Sequence, residues 1–148
     1  MSKGIVVCLP PGAGKTRRVW ENIIKSASKK KHIWRKRIRE TLILTPNRYI
    51  HRIWLRELGL IAVQRGMLEL PDGEDPRTMK LPRLKKILRL ELALPHLDTF
   101  KRLKSKRSQK FSYLILDEWH RLPQYVIDKC DGWNKDRSTS GWFLNGTN

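Results

Sequence analysis

Apolar residues along this chain fall into short continuous runs, separated by longer segments in which they recur with a helical period. Runs of this length are typical of strands buried on both faces of a parallel sheet. They occupy residues 4–9, 41–45, 60–63, 111–116 and 142–144. Residues 88–94 alternate apolar and polar side chains and predict a further strand. The pattern therefore predicts one α/β domain over residues 1–148, with a mostly parallel sheet flanked by helices.

The segments between these runs differ in character. Helical spacing of apolar residues predicts helices over 15–28 and 49–58, and shorter ones over 96–103 and 122–130. The basic stretch 29–39 is interpreted as a solvated connector, and residues 71–82 as an irregular surface insertion. No apolar segment is long enough to cross a bilayer, so we expect no membrane segment in this sequence.

A glycine-rich loop follows the first apolar run directly. Residues 11–16 read P-G-A-G-K-T, the layout of a phosphate-binding loop between a buried strand and a helix N-terminus. In such a loop, backbone N–H groups and the helix dipole point at one anion, the lysine reaches the β- and γ-phosphates, and the threonine hydroxyl reaches Mg²⁺. The predicted phosphate-binding residues are Gly12, Ala13, Gly14, Lys15 and Thr16.

An acidic pair follows the apolar run 111–116. Asp117 and Glu118 stand where ligands bind in open parallel sheets, at the carboxyl end of a strand. Asp117 is suited to hold Mg²⁺ through water, and Glu118 to orient and deprotonate an attacking water. The loop and the acidic pair together predict a nucleoside triphosphate site.

The charge of the chain changes the choice of partner. Lys and Arg number 32 against 14 Asp and Glu, a formal net charge of +18. So large an excess on a small domain indicates a polyanionic partner. The two cysteines, Cys8 and Cys130, are expected to be reduced thiols, which indicates an intracellular protein with neither a disulfide framework nor a zinc site.

With these motifs in order, the chain resembles the first RecA-like domain of DExH superfamily 2 helicases, and most of all the flavivirus- and pestivirus-type replicative RNA helicase. That family carries L-H-P-G-A-G-K-T-R-R, T-L-I-L-A-P-T-R, H-A-T-F, D-E-A-H and T-A-T. The corresponding segments here are L-P-P-G-A-G-K-T-R-R (9–18), T-L-I-L-T-P-N-R (41–48), H-L-D-T-F (96–100), D-E-W-H (117–120) and N-G-T (145–147). The sequence departs from the family at Trp119 and Asn145, and in a longer segment over 67–86.

The resemblance implies an RNA helicase and nucleoside triphosphatase that uses ATP, or another triphosphate, with Mg²⁺. Lys15, Asp117 and Glu118 would be catalytic, and Thr16 and Asp117 would hold the metal. It implies that single-stranded RNA contacts the loops after two strands, at Pro46, Asn47, Arg48, Asp98 and Thr99. Residues that relay the nucleotide state to the RNA would be His120, Asn145, Gly146 and Thr147.

The resemblance also implies partners and a location. Family members close a second RecA-like domain, in cis, over the nucleotide, and its arginines act on the γ-phosphate. We therefore expect these 148 residues to be an incomplete motor with weak turnover on their own, and a monomer. The family works in the host cytoplasm, within viral replication complexes.

A second interpretation stays open, in which a basic nucleic-acid-binding module keeps the fold but has no motor activity. Its support lies in the basic clusters 29–39 and 101–110. Trp34, within the first cluster, is suited to stack on a base. Nucleotide turnover separates the two interpretations, because a binding module would show no nucleotide dependence.

Overall fold

The structure, a computed structural model, describes residues 4–8, 14–24, 30–100, 111–118, 128 and 140–145, and for 4–8 and 140–145 it describes the backbone alone. This part of the chain contains five strands, four α-helices and a short 3₁₀ helix, Arg48–Ile50. The strands are β1 (Gly4–Cys8), β2 (Thr41–Thr45), β3 (His96–Thr99), β4 (Tyr113–Asp117) and β5 (Ser140–Asn145). The α-helices are α1 (Lys15–Ile24), α2 (Lys31–Arg39), α3 (His51–Gln64) and α4 (Leu81–Glu91).

The strands form one sheet in the order β1-β5-β4-β2-β3. Every pairing in it is parallel. All five carboxyl ends therefore meet at the same edge, which we call the carboxyl edge. The prediction of an α/β fold is therefore confirmed as far as a parallel sheet with flanking helices.

The central strands lie where continuous apolar runs predicted them. Every residue of β2 is buried, as are the last four residues of β4, which is typical of strands covered on both faces. The predicted strand over 142–144 lies within β5, and the run 4–9 gives β1.

A layer of helices packs on the sheet through apolar stripes. The buried side chains of α1 recur at helical spacing, as do those of α3, and the two helices contact one another. Their largest members are Trp20 on α1 and Trp54 on α3, both fully buried. These two helices carry the side chains that reach the candidate site.

Two of the predicted strands are helical instead. Residues 60–63 belong to α3, because Leu58, Ile61 and Ala62 continue its buried stripe. Residues 88–91 are the end of α4, in which Leu84 and Leu88 are buried one turn apart. The alternation over 88–94 was misleading because Leu90 is 69% exposed and does not belong to an apolar strand face.

The predicted helix over 96–103 is also wrong in its described part. Residues 96–99 form β3, the edge strand, paired with β2 from Leu42↔His96 to Thr45↔Thr99. A strand that is paired on one side only does not require a continuous apolar run. Its polar composition therefore hid it. Residues 101–103 lie outside the described residues, as does the predicted helix 122–130 apart from Asp128.

The basic stretch 29–39 is not a connector, since α2 spans Lys31–Arg39. Trp34 and Ile38, one turn apart, are fully buried against the core, while basic side chains occupy most of the other positions. The idea that Trp34 stacks on a base is therefore wrong, because its ring is a core group. The insertion 71–82 is irregular as far as residue 80. Helix α4 then begins at Leu81, with Pro82 in its first turn.

The helices were also searched for a membrane span. None of those in the described residues is both long enough and apolar enough to cross a bilayer.

Replacing Trp34 by alanine should lower the free energy of unfolding by about 3–5 kcal/mol, because the change leaves a cavity under α2. Urea denaturation measures the loss. Lys36→Ala on the exposed face of the same helix is the control and should stay within about 0.5 kcal/mol of the parent. A Trp34→Ala variant of parental stability would contradict the burial of this ring.

Candidate nucleotide site and the neighbouring strand ends

The candidate site begins at the N-terminus of α1. Gly14 has a φ of +75°, a left-handed conformation that favours glycine, and its carbonyl accepts the first helical bond from the Arg18 N–H at 3.0 Å. Lys15 and Thr16 follow as the first two residues of the helix, and Thr16 is buried. The predicted loop residues Gly12 and Ala13 lie outside the described residues.

Lys15 meets both predicted carboxylates. Its Nζ lies 3.2 Å from Oδ1 of Asp117 and 3.3 Å from Oε1 of Glu118. The side chains of Lys15 and Glu118 are 18% and 22% exposed, whereas that of Asp117 is 3% exposed. Three groups that the sequence assigns to one site, from positions more than a hundred residues apart, are thus brought together at the carboxyl edge.

The second oxygen of Asp117 has a partner that the sequence analysis missed. The indole Nε1 of Trp54 donates to Oδ2 of Asp117 at 2.9 Å, in a buried hydrogen bond. The carbonyl of Trp54 in turn accepts from Nε1 of Trp20 at 3.0 Å, and the two rings pack edge to face with centroids 6.0 Å apart. The one signal in the sequence was that a buried tryptophan needs an acceptor for its N–H.

Glu118 sits in an unusual backbone conformation. Its φ is +56°, and it is the one non-glycine residue with positive φ within the described part of the chain. Such a conformation is costly for a residue with a Cβ, and it concentrates at functional sites. The turn directs the Glu118 carboxylate toward Lys15 instead of continuing β4.

The oxygen donors here suit Mg²⁺ better than a metal that needs a full protein cage. Among the described residues there is no cluster of three or more His, Cys, Asp or Glu. Mg²⁺, however, usually takes one or two protein oxygens and completes its shell with water and substrate phosphates. The Thr16 hydroxyl on the first turn of α1 and the Asp117 carboxylate would be the protein oxygens of such a site.

The loop after β2 carries the first group of predicted RNA-contacting residues. Asn47 and Arg48 are exposed and Pro46 is half-buried. The Asn47 side chain accepts the Tyr49 backbone N–H at 3.0 Å, and the Thr45 hydroxyl donates to the Asn47 carbonyl at 2.7 Å. These bonds hold the turn that leads into α3.

The second predicted group, Asp98 and Thr99, lies beside the first. Thr45 and Thr99 are register partners on β2 and β3, so the two loops leave the sheet side by side. Asp98 is buried, and its Oδ1 accepts the Thr99 N–H at 2.9 Å. Its carboxylate therefore shapes the strand end, and the exposed polar groups at this position belong to Asn47 and Arg48.

Of the predicted coupling residues, Asn145 is placed by its backbone. It ends β5 and pairs with Cys8 of β1, while its neighbour Leu144 pairs with Asp117 of β4. The end of β5 thus lies between the strand that precedes the glycine-rich loop and the strand that carries the acidic pair. His120, Gly146 and Thr147 lie outside the described residues.

His51 links α3 to the end of β3. Its Nε2 is 3.1 Å from the carbonyl oxygen of Asp98. Burial lowers the pKa of His51 below 6.5; the Asp98 carbonyl and carboxylate oppose this shift, and the cations of Lys85 and Arg48 add to it. The neutral ring, with Nε2 donating to the carbonyl, is therefore the form that the fold favours.

Comparison with known proteins adds nothing to this geometry: no family model and no curated protein matches the chain.

Changing Trp54 to phenylalanine keeps an aromatic ring but leaves Oδ2 of Asp117 without its donor. We expect a loss of about 1.5–3 kcal/mol in the free energy of unfolding, the range for a hydrogen bond to a charged group. Trp20→Phe is the matched control, since it makes the same change in volume at an equally buried site but removes a bond to a neutral carbonyl. Urea denaturation should show the larger loss for Trp54→Phe. Equal losses in the two variants would mean that the bond to Asp117 contributes no more to the free energy of unfolding than a bond to a neutral carbonyl.

The lowered pKa of His51 predicts a dependence of stability on pH. The unfolded chain binds a proton at His51 below about pH 6.5, whereas the folded chain binds it only at a lower pH. The stabilisation from the neutral His51 ring is therefore complete above about pH 6.5. It is lost as the pH falls through the lower pKa of the folded state. Unfolding free energies measured between about pH 8 and pH 5 should decline less steeply for His51→Gln than for the parent. Parallel pH profiles would contradict the assignment.

Proposed function

We propose that the chain is the RecA-like nucleotide-binding domain of an RNA helicase, which couples nucleoside triphosphate hydrolysis to single-stranded RNA binding and duplex unwinding. It would act with a second RecA-like domain in cis, in the cytoplasm of a host cell during viral replication. The observation that carries the proposal is the convergence of Lys15 with Asp117 and Glu118 at the carboxyl edge.

The arrangement supports the roles that the motifs suggest. An ammonium group has three N–H donors, and the contacts to Asp117 and Glu118 account for two, which leaves Lys15 able to bind a phosphate oxygen. Its position at the first residue of α1 adds the helix dipole to its charge. A triphosphate placed here would meet positive charge from the helix and from Lys15.

The two carboxylates differ in ways that fit different tasks. Asp117 is buried and fixed by two donors, as suits a group that holds Mg²⁺, with Thr16 as the other protein oxygen. The bound metal would neutralise charge on the transferring phosphate. Glu118 is more exposed and has a left-handed backbone, as suits a base that orients and deprotonates the attacking water.

RNA binding is supported by position and charge. Pro46 follows the end of β2, and Thr99 is the last residue of β3. Both therefore lie at the carboxyl edge, as does the nucleotide site. Arg48 and Asn47 are exposed there, and the chain carries +18 overall. Contacts of this kind bind phosphates without reading sequence.

The alternative of a basic binding module without motor activity is weaker for a specific reason. It depended in part on Trp34 as a stacking residue, and Trp34 is a fully buried core residue. RNA binding alone also does not require the cluster of Lys15 with two carboxylates.

Two variants test the proposal by separating binding from chemistry. Lys15→Ala should weaken Mg²⁺–triphosphate binding, measured by calorimetry, by at least about tenfold, since the loss of one charge-assisted contact is worth about 1.5–3 kcal/mol. Glu118→Gln should bind like the parent but lose about a hundredfold or more in hydrolysis with RNA present, because it keeps its size and loses the base. Lys36→Ala, exposed on α2, is the control for both.

Thermal unfolding of each variant shows whether it is folded. If the Lys15→Ala variant is folded and binds Mg²⁺–triphosphate as tightly as the parent, the glycine-rich loop is not part of the site. Parental turnover in Glu118→Gln would remove the base assignment.

A further inference from the structure

Tyr49 is presented to solvent in a way that the nucleotide site does not explain. Its side chain is 76% exposed, more than any other large hydrophobic side chain in the described ranges. It lies four residues beyond Thr45, the last residue of β2, within the 3₁₀ helix that leads into α3. An exposed aromatic ring is therefore placed at the carboxyl edge, next to the predicted RNA-contacting loops.

The backbone beneath this ring is held in place. The Tyr49 N–H donates to Oδ1 of Asn47, and the Asn47 carbonyl accepts the Thr45 hydroxyl. At the far end of the turn, His51 contacts the Asp98 carbonyl and so joins the segment to β3. A ring carried by a fixed backbone loses little further entropy when a flat ligand settles on it.

Positive charge lies close to Tyr49 along the chain. Arg48 and Arg52 flank Tyr49 in sequence and are exposed, and neither forms an ion pair with another residue of the described segments. Lys85 of α4 is near enough to act on His51 together with Arg48. The combination of one exposed aromatic face with unpaired cations matches a ligand that carries both flat rings and phosphates.

We propose that Tyr49 is a stacking platform for an unpaired base of single-stranded RNA, with Arg48 and Arg52 binding the phosphates on either side. The inference rests on the RNA-binding part of the proposed function and adds a base-contacting residue to it. Every base has a π-face, so such contact tolerates any sequence. Paired bases keep their faces covered by their neighbours, so the contact also favours single strands over duplexes.

An acidic protein segment would contact the same cations through its carboxylates. It would not, however, supply a flat ring at every position to stack on Tyr49. The net charge of +18 favours a polymer with a regular array of phosphates. RNA is therefore the partner to which we commit, and the experiment distinguishes it from a simple polyanion.

The test measures the affinity of the full chain for a fluorescein-labelled single-stranded RNA and for an abasic strand of equal length, at several salt concentrations. Tyr49→Ala should lower affinity for the RNA about tenfold, within the range for loss of one base stack, and leave the salt dependence unchanged. Arg48→Ala should weaken binding of both strands and reduce the salt slope by about one. Tyr49→Phe keeps the ring and should bind like the parent. Leu90→Ala, on an exposed apolar residue of α4, is the control.

The outcomes separate this inference from the function on which it rests. Parental RNA affinity in Tyr49→Ala, with the parental salt slope, would overturn the stacking role and leave RNA binding intact. An equal loss on the RNA and the abasic strand would also overturn it, because stacking requires a base. Failure of the parent chain to bind either strand would reject the RNA-binding part of the proposed function itself.

Discussion

The burial of one carboxylate constrains the whole site. The residue Asp117 as a whole is 2% exposed. Removing an ionised carboxylate from water costs several kcal/mol unless the carboxylate is paired and hydrogen-bonded. Its two oxygens are met by the ammonium of Lys15 and the indole of Trp54. These partners come from α1 and α3, so the position of both helices on the sheet is tied to the charge at the end of β4.

The same carboxylate connects packing to chemistry. Trp54 is at once a core residue, an acceptor for Trp20 through its carbonyl and a donor to Asp117. The parallel sheet places the carboxyl ends of β1, β5 and β4 side by side, and those of β2 and β3 next to them. The proposed triphosphate site and the proposed RNA contacts therefore both lie at the carboxyl edge. His51 joins the start of α3 to the end of β3 through the carbonyl of Asp98.

The sequence predicted the central strands and assigned Lys15, Asp117 and Glu118 to one site, but it predicted poorly the elements whose pattern is mixed. The continuous run over β2 identified a central strand because both of its faces are covered. His96–Thr99 carries little apolar signal, and its strand conformation comes from pairing with β2. The helix α2 was hidden by its charge, since the buried stripe of Trp34 and Ile38 is narrow. Trp54 could not be assigned to Asp117 because the two are 63 positions apart, and an apolar stripe gives no sign of which polar group its N–H will meet.

The proposed function depends above all on the binding of a nucleoside triphosphate with Mg²⁺ at the cluster of Lys15, Asp117 and Glu118. The thermal unfolding midpoint of the chain tests this binding. It is measured as a nucleoside triphosphate is added with Mg²⁺ and, in parallel, as the corresponding nucleoside monophosphate is added with Mg²⁺. A ligand that binds only the folded state stabilises it by RT ln(1 + [L]/Kd). Binding at this cluster predicts that the midpoint rises with the triphosphate concentration and rises much less with the monophosphate, which lacks the β- and γ-phosphates. A midpoint that does not move with triphosphate at concentrations up to several millimolar, or that moves equally with both ligands, would contradict it.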